Sequence, residues 1–178
     1  MKIAAIVKDS IVDGPGLRLT VFVQGCSHKC YQCQNPHTHD PTEGYEVSIQ
    51  AIIKMLYKNP LIDGVTLSGG EPFDQAADCA DLLAKVRRFN PNYSIWVYTG
   101  YTYEQILEKR DVAWNKLLLM TDVLVDGEFI DSLKSYELKF RGSSNQRLID
   151  VKESIQQRQV ILHQLEDTFL DKFVIPAT

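Results

Sequence analysis

Apolar residues recur along this chain with two different periods, and the switching between them outlines the fold. Leu17 to Val23 (Leu-Arg-Leu-Thr-Val-Phe-Val) alternates in part, as a half-buried strand does. Between Ser48 and Lys58 the apolar positions Ile49, Ile52, Ile53 and Leu56 fall at helical spacing. Val65 to Leu67 is a short apolar strand opening directly into Ser68-Gly-Gly-Glu-Pro72, after which Asp74 is expected to cap a helix running to about Phe89. Asn90-Pro91 stops that helix. Ile95 to Tyr98 is the next strand, ending in Thr99-Gly100, and Thr102 is placed to cap a helix through about Lys109. Trp96 and Tyr98 are expected on opposite faces of that strand, so that at most one of them enters a site. Val123 to Val125 follows as a strand ending in Asp126-Gly127, then a polar loop over 138–150 carries Arg141-Gly-Ser-Ser-Asn-Gln-Arg147 into Leu148 to Val151. From Glu153 to Thr178 the pattern weakens to a helix and then a strand at Val160 to Leu162.

Strands alternating with helices predict an α/β fold with mostly parallel strands. The distinctive polar clusters each follow a strand: the Cys26 to Cys33 region, Gly69 to Pro72, Thr99-Gly100 and Asp126-Gly127. In a parallel barrel or open sheet those strand ends share one face, where sites form. A complete eight-fold barrel takes about 250 residues, so this chain of 178 residues is expected to build a partial, open β/α barrel of five or six units. Such a barrel has a lateral opening through which a large substrate could present a loop. With no internal repeat and no linker, residues 1–178 read as a single domain, with its core at about 10–150 and a poorly readable tail at 151–178.

Composition narrows the class. Hydrophobic residues make up 44% of the chain, and 19 basic against 23 acidic side chains give a net charge of −4. No basic face is indicated, which argues against nucleic-acid binding. The apolar stretch Ile3 to Val7 meets Lys8 and Asp9 at once and is too brief for a secretory core, and no run approaches membrane-spanning length. A cytoplasmic, reducing location is the expectation, and it suits free thiolates.

Three of the four cysteines, Cys26, Cys30 and Cys33, lie within eight residues of one another in Gly-Cys-Ser-His-Lys-Cys-Tyr-Gln-Cys-Gln-Asn-Pro. A disulfide framework would leave one thiol unpaired. Two metal readings compete. Zinc could take the three thiols with His28, His37 or His39. A 4Fe-4S cluster takes four thiolates, so three from one loop leave one iron open to a ligand that is not protein. Cys79 lies with Ala76, Leu83 and Val86 on one face of its predicted helix and reads as a buried small hydrophobe. His28 and Lys29 read as solvated loop residues rather than ligands.

The Cys-x3-Cys-x2-Cys run at Cys26, Cys30 and Cys33, followed by the Gly69-Gly70-Glu71-Pro72 turn after a strand, resembles the radical S-adenosylmethionine (SAM) superfamily. Ile11-Val-Asp-Gly-Pro-Gly16, Ile95-Trp-Val-Tyr-Thr-Gly-Tyr101, Val123-Leu-Val-Asp-Gly-Glu-Phe129 and Phe140-Arg-Gly-Ser-Ser-Asn-Gln146 narrow the likeness to the activating proteins of anaerobic ribonucleoside-triphosphate reductase. The resemblance implies that Cys26, Cys30 and Cys33 bind one 4Fe-4S cluster, whose open iron is chelated by the amino and carboxylate groups of SAM. It further implies that Gly69 and Gly70 accept the methionine amino group and that the peptide groups of Gln32, Cys33 and Gln34 line the adenine. Glu71 either adds a carboxylate there or serves as a helix-entry acid before Pro72. The position before the third cysteine, often aromatic in the superfamily, is Gln32 here, so backbone rather than ring stacking is the implied contact.

The implied chemistry is reductive cleavage of SAM to methionine and a 5′-deoxyadenosyl radical, which takes hydrogen from a glycine Cα of the large reductase subunit. No acid–base pair is needed. A flavodoxin or ferredoxin type protein is the implied electron donor. An activase for another glycyl-radical enzyme, or another small radical SAM enzyme, is the nearest alternative; a zinc-binding interaction module is the remote one.

Overall fold

The computed structural model describes residues 1–165 as a seven-stranded sheet with helices on one side. The strands are β1 (Lys2–Ser10), β2 (Arg18–Val23), β3 (Tyr45–Glu46), β4 (Gly64–Gly69), β5 (Ser94–Tyr98), β6 (Val123–Asp126) and β7 (Arg147–Asp150), in the order β3-β1-β2-β4-β5-β6-β7. The helices are α1 (Ile49–Lys58), α2 (Ala76–Phe89), α3 (Tyr103–Lys109), α4 (Val112–Met120) and α5 (Val151–Gln157). β2, β4, β5 and β6 run parallel, whereas β1, β3 and β7 pair antiparallel at the two margins. The expected α/β class therefore holds. The sheet is mostly parallel in its middle, as expected, but with four parallel strands rather than five or six units, because the chain adds its outer strands by antiparallel return.

Three elements escaped the sequence patterning: β1, the two-residue β3 and α4. Ile3 to Val7 is the middle of the nine-residue β1, whose Ile3 is buried while Lys8 and Asp9 sit at its exposed end. Val112–Met120 is a helix capped by Asp111, which accepts from the backbone N–H groups of Ala113 and Trp114. Thr102 does cap α3, through a reciprocal capping box with Gln105, and Ser48 caps α1. Asp74 does not cap α2. A short 3-10 turn, Pro72–Gln75, intervenes, and the Asp74 carboxylate instead accepts from the backbone N–H of Ser27 at 2.9 Å. Val160 to Leu162 forms no strand, only a single antiparallel bridge from Leu162 to Ile149. The rest of the weakly patterned tail, residues 166–178, lies outside the described residues.

Strand alternation divides the core in two. Leu19, Val21, Val23, Val65, Leu67, Ile95, Val97, Leu124 and Ile149 face the helices and pack on Ile52, Leu56, Leu82, Leu83, Ile106 and Leu117. Trp96, Val123, Val125 and Leu148 face the other way, beneath Tyr98, Phe140 and Leu165. All five helices contribute to the first side, unlike a doubly wound sheet, which carries helices on both. Because Cβ atoms alternate with period two, Trp96 and Tyr98 share a face; the expectation of opposite faces is corrected.

The helix-free face is polar as well as aromatic. Arg18, fully buried there, spends its guanidinium on Thr66 Oγ1 (2.6 Å), the carbonyls of Pro15, Val65 and Ser94, and Ser94 Oγ. Thr66 in turn donates to the Asp13 carbonyl at 2.8 Å. Together they draw the Asp13 to Gly16 turn onto the sheet. Among the described residues no helix is long and apolar enough to cross a membrane.

Candidate functional site

The cysteine loop leaves the end of β2 and is tied down at both flanks. Gly25 N–H donates to the Thr38 carbonyl at 2.8 Å and Cys26 N–H to that of His39 at 3.2 Å, while the Gln24 side chain donates to the carbonyls of His37 and Asp40. Lys29 and Gln32, each between two of the cysteines, adopt left-handed backbone, with φ +50° and +55°, which coils the loop. Cys26, Cys30 and Cys33 are half-buried free thiols. Each faces main-chain donors: Cys26 those of Lys29 and His28, Cys30 that of Phe129, and Cys33 that of Asn35 at 3.4 Å. Burial raises the Cys26 and Cys30 thiols above their usual range, and these N–H groups pull the other way. Peptide N–H groups aimed at sulfur suit thiolate ligands, so the donor set fits an iron–sulfur cluster. Among the described residues no three His, Cys, Asp or Glu side chains converge on a single-ion site. Cys79 is fully buried, and burial pushes its thiol up.

The Gly69–Pro72 turn lies against that loop. Val23 pairs with Gly69, Gly70 N–H donates to the Val23 carbonyl at 2.9 Å and Glu71 N–H to the Gly25 carbonyl at 2.8 Å. Gly69 has φ +94°, and a Cβ on Gly70 would stand 2.1 Å from the Gly25 oxygen. Both glycines are therefore required by the join between the end of β4 and the start of the cysteine loop.

Glu71 is buried and heavily engaged. Its carboxylate accepts from Phe73 N–H (2.9 Å), Thr99 Oγ1 (2.9 Å) and Gly100 N–H (2.8 Å). His28 approaches the same carboxylate, Nε2 lying 3.1 Å from Oε2 though off the line of a well-formed hydrogen bond, and its Nδ1 lies 2.8 Å from Glu128 Oε1. The ring stands edge-on to Tyr101 with centroids 4.3 Å apart. Glu71 first, and Glu128 after it, raise the His28 pKa to about 9 against the opposing effect of burial. The expectation of a solvated His28 is thus corrected: its side chain is 9% exposed, because two carboxylates and a ring enclose it. Lys29 is exposed.

Beside the loop, on the helix-free face, lies a cavity of about 290 Å³ lined by Cys33, Gln34, Ser68, Tyr98, Arg141 and Gln146 among others. Cys33 and Gln34, of the implied SAM contacts, reach it; Gln32, Gly69, Gly70 and Glu71 stand back from its wall. Gln146 closes the far side, accepting from the N–H groups of Gly142 and Ser143 and donating to the Gly127 carbonyl. Asn145 and Ser143 likewise bind the Glu128 and Ile130 backbone, so this polar segment is a staple for the loop after β6. Asp126 is buried against Tyr103 N–H and Arg147, away from the cavity. Sequence reading missed Arg141, Phe129 and Tyr98 as cavity residues; the Phe-Arg-Gly-Ser-Ser-Asn-Gln run was the available signal for the first.

A thiol-rich loop at the ends of parallel strands, beside a polar cavity, defines the class as an iron–sulfur domain on an α/β sheet. In agreement, a family profile described as "4Fe-4S single cluster domain" matches residues 12–149. The chain is also similar to several anaerobic ribonucleoside-triphosphate reductase-activating proteins. It is 37% identical to that of Salmonella typhi over 143 residues, 76% of this chain and 90% of the relative. It is 36% identical to that of Escherichia coli (strain K12) over 144 residues, with the same coverage, and 33% identical to that of Enterobacteria phage T4 over 141 residues, 77% of this chain and 86% of the relative. The chain belongs to the family of anaerobic ribonucleoside-triphosphate reductase-activating proteins, enzymes of the radical SAM activase type.

Proposed function

We propose that this protein activates an anaerobic ribonucleoside-triphosphate reductase by generating a glycyl radical on its large subunit, with Cys26, Cys30 and Cys33 holding one 4Fe-4S cluster and SAM as the cosubstrate. The observation that carries the reading is the placement of the cysteine loop, which holds three free thiols and lines a cavity on the helix-free face through Cys33, in a chain of this family. When held by Cys26, Cys30 and Cys33, the cluster would supply the electron for reductive cleavage of SAM to methionine and a 5′-deoxyadenosyl radical, the species that would take hydrogen from a glycine Cα. The chain's own residues bind and orient. Cys33 and Gln34, with Gln32 behind them, line the adenine side. Gly69 and Gly70 bring the β4 end to the methionine group, and Glu71 fixes that turn, its carboxylate already held by Phe73, Thr99 and Gly100. Catalysis by position requires no acid or base among these groups.

The same reading takes the sheet, with its helices confined to one side, as an open β/α barrel whose free face admits the reductase's glycine loop. It also implies a reducing, cytoplasmic setting and a flavodoxin or ferredoxin type donor. The test is anaerobic mixing of reconstituted protein, SAM, a strong reductant and the large reductase subunit. A glycyl doublet in the electron paramagnetic resonance spectrum is expected. SAM cleavage without that doublet moves the assignment to another glycyl-radical enzyme, and absence of both cluster and cleavage overturns it.

A further inference from the structure

The geometry points to His28 as the positioning residue of the cluster loop, a side chain that bolts the segment between the first two cysteines to three strand ends at once. The inference rests on the reading that Cys26, Cys30 and Cys33 hold the cluster. It goes further in giving a task to a residue that supplies no ligand.

Three observations carry it. First, the ring turns inward while both neighbours stay in solvent: the His28 side chain is 9% exposed, whereas Ser27 and Lys29 are exposed. An imidazole on a surface loop gains nothing from burial unless its polar atoms find partners. Second, those partners come from separate strands. Glu71 follows β4 and meets Nε2; Glu128 follows β6 and meets Nδ1; Gly100 and Tyr101 follow β5 and form the seat of the ring. Third, the seat is shaped for it. A Cβ on Gly100 would stand 2.5 Å from His28 Cδ2, so the ring occupies the space a side chain would otherwise take.

The ring nitrogens of His28 face one carboxylate each, Nε2 that of buried Glu71 at 3.1 Å and Nδ1 that of Glu128 at 2.8 Å. The segment that His28 controls has other ties as well: Cys26 N–H to the His39 carbonyl, Ser27 N–H and Oγ to Asp74, Ser27 Oγ to the Tyr101 hydroxyl, and the Phe129 N–H to the Cys30 sulfur. The ring alone among these ties reaches side chains that follow both β4 and β6, so its loss would loosen the stretch between Cys26 and Cys30. Partners that orient metal ligands without binding metal are typically worth 10–100-fold in retention.

The experiment compares wild type, His28→Gln, Glu128→Gln and the double variant, each reconstituted anaerobically with iron and sulfide. Iron per chain, the rate of iron loss to a chelator and the electron paramagnetic resonance spectrum of the reduced cluster are recorded. His28→Gln is expected to lose iron about 10-fold faster or more, with a broadened or shifted spectrum. Glu128→Gln, at an exposed carboxylate, is expected to move in the same direction by a few-fold, and the double variant is expected to match His28→Gln, since Glu128 acts through the ring. Wild-type rates and spectrum in His28→Gln overturn the inference, as does a double variant that is the product of the singles. Should His28→Gln fail to fold, Glu128→Gln decides alone: unchanged retention and spectrum overturn it. Wild-type protein that takes up no iron overturns the cluster reading itself, and this inference with it.

Discussion

Replacing Gly70 by alanine tests the join between the two halves of the site. The added Cβ would lie 2.1 Å from the Gly25 carbonyl oxygen and 3.1 Å from that of Val23. Neighbours of a real Cβ essentially never come within 3.0 Å, so the end of β4 and the start of the cysteine loop must separate by about 1 Å. Both are main chain, so no side-chain rotation relieves the contact. Two hydrogen bonds span the gap, Gly70 N–H to Val23 and Glu71 N–H to Gly25, at 2.9 and 2.8 Å. Each is worth about 1 kcal/mol net, and a donor left stranded costs about as much again, which places the loss near 2–4 kcal/mol. With a urea slope of about 2 kcal/mol per molar, the unfolding midpoint of the metal-free protein should fall by about 1–2 M. Iron retention should fall too, because Gly25 immediately precedes Cys26. A Gly70→Ala protein with an unchanged urea midpoint and full iron content would refute the reasoning.

Arg18→Met should lower the stability of the metal-free protein by about 3 kcal/mol or more, since the acceptors on Pro15, Val65, Thr66 and Ser94 lose their buried donor; urea unfolding reads it. Glu104→Gln tests a pH dependence. Arg147 holds the Glu104 carboxyl down at about 2, so its contribution is present above the ordinary carboxylate range of about 4.5 and is lost as pH falls through about 2. The pair is half-exposed, so the effect is worth less than about 1 kcal/mol, seen as a flatter acid limb of stability between pH 4.5 and 2 in the variant. Cys79→Ala should cost about 1 kcal/mol of stability and leave iron content unchanged, because that thiol is sealed in the core. Loss of iron in that variant would place Cys79 among the ligands.

Local pattern and long-range consequence were unequally legible in the sequence. Strands bounded by turn residues, such as Val65 to Leu67 before Ser68-Gly-Gly, and the helix capped by Thr102 stood out because each signal lies within a few residues of what it specifies. β1 did not, since its exposed half carries Lys8 and Asp9 and its partner strands lie elsewhere in the chain. α4 hid for a different reason. Its apolar residues Val112, Leu117, Leu118, Leu119 and Met120 spread around the helix, and Val112 and Leu119 are exposed, so no stripe marks it. The antiparallel pairing of β7 depends on which way the loop after β6 returns, and Gln146 and Asn145 settle that through hydrogen bonds to Gly127 and Glu128.

The site divides along the same line. Cysteine spacing is local, so the ligand set could be proposed from eight residues. The roles of Glu71 and His28 could not, because each is fixed by groups that follow different strands. Glu71 is a helix-entry acid by its bond to Phe73 and a cross-strand anchor by its bonds to Thr99 and Gly100. His28 reads as a polar loop residue until β4, β5 and β6 end side by side, at which point its ring has an acid on each nitrogen and a glycine beneath it. Parallel pairing of those strands is what turns three unrelated turns into one enclosure. The chemistry of the loop is therefore written by the sheet's register as much as by the cysteines, and a change at Gly100, which follows β5 and contributes no ligand, should disturb the cluster through the space it denies to His28.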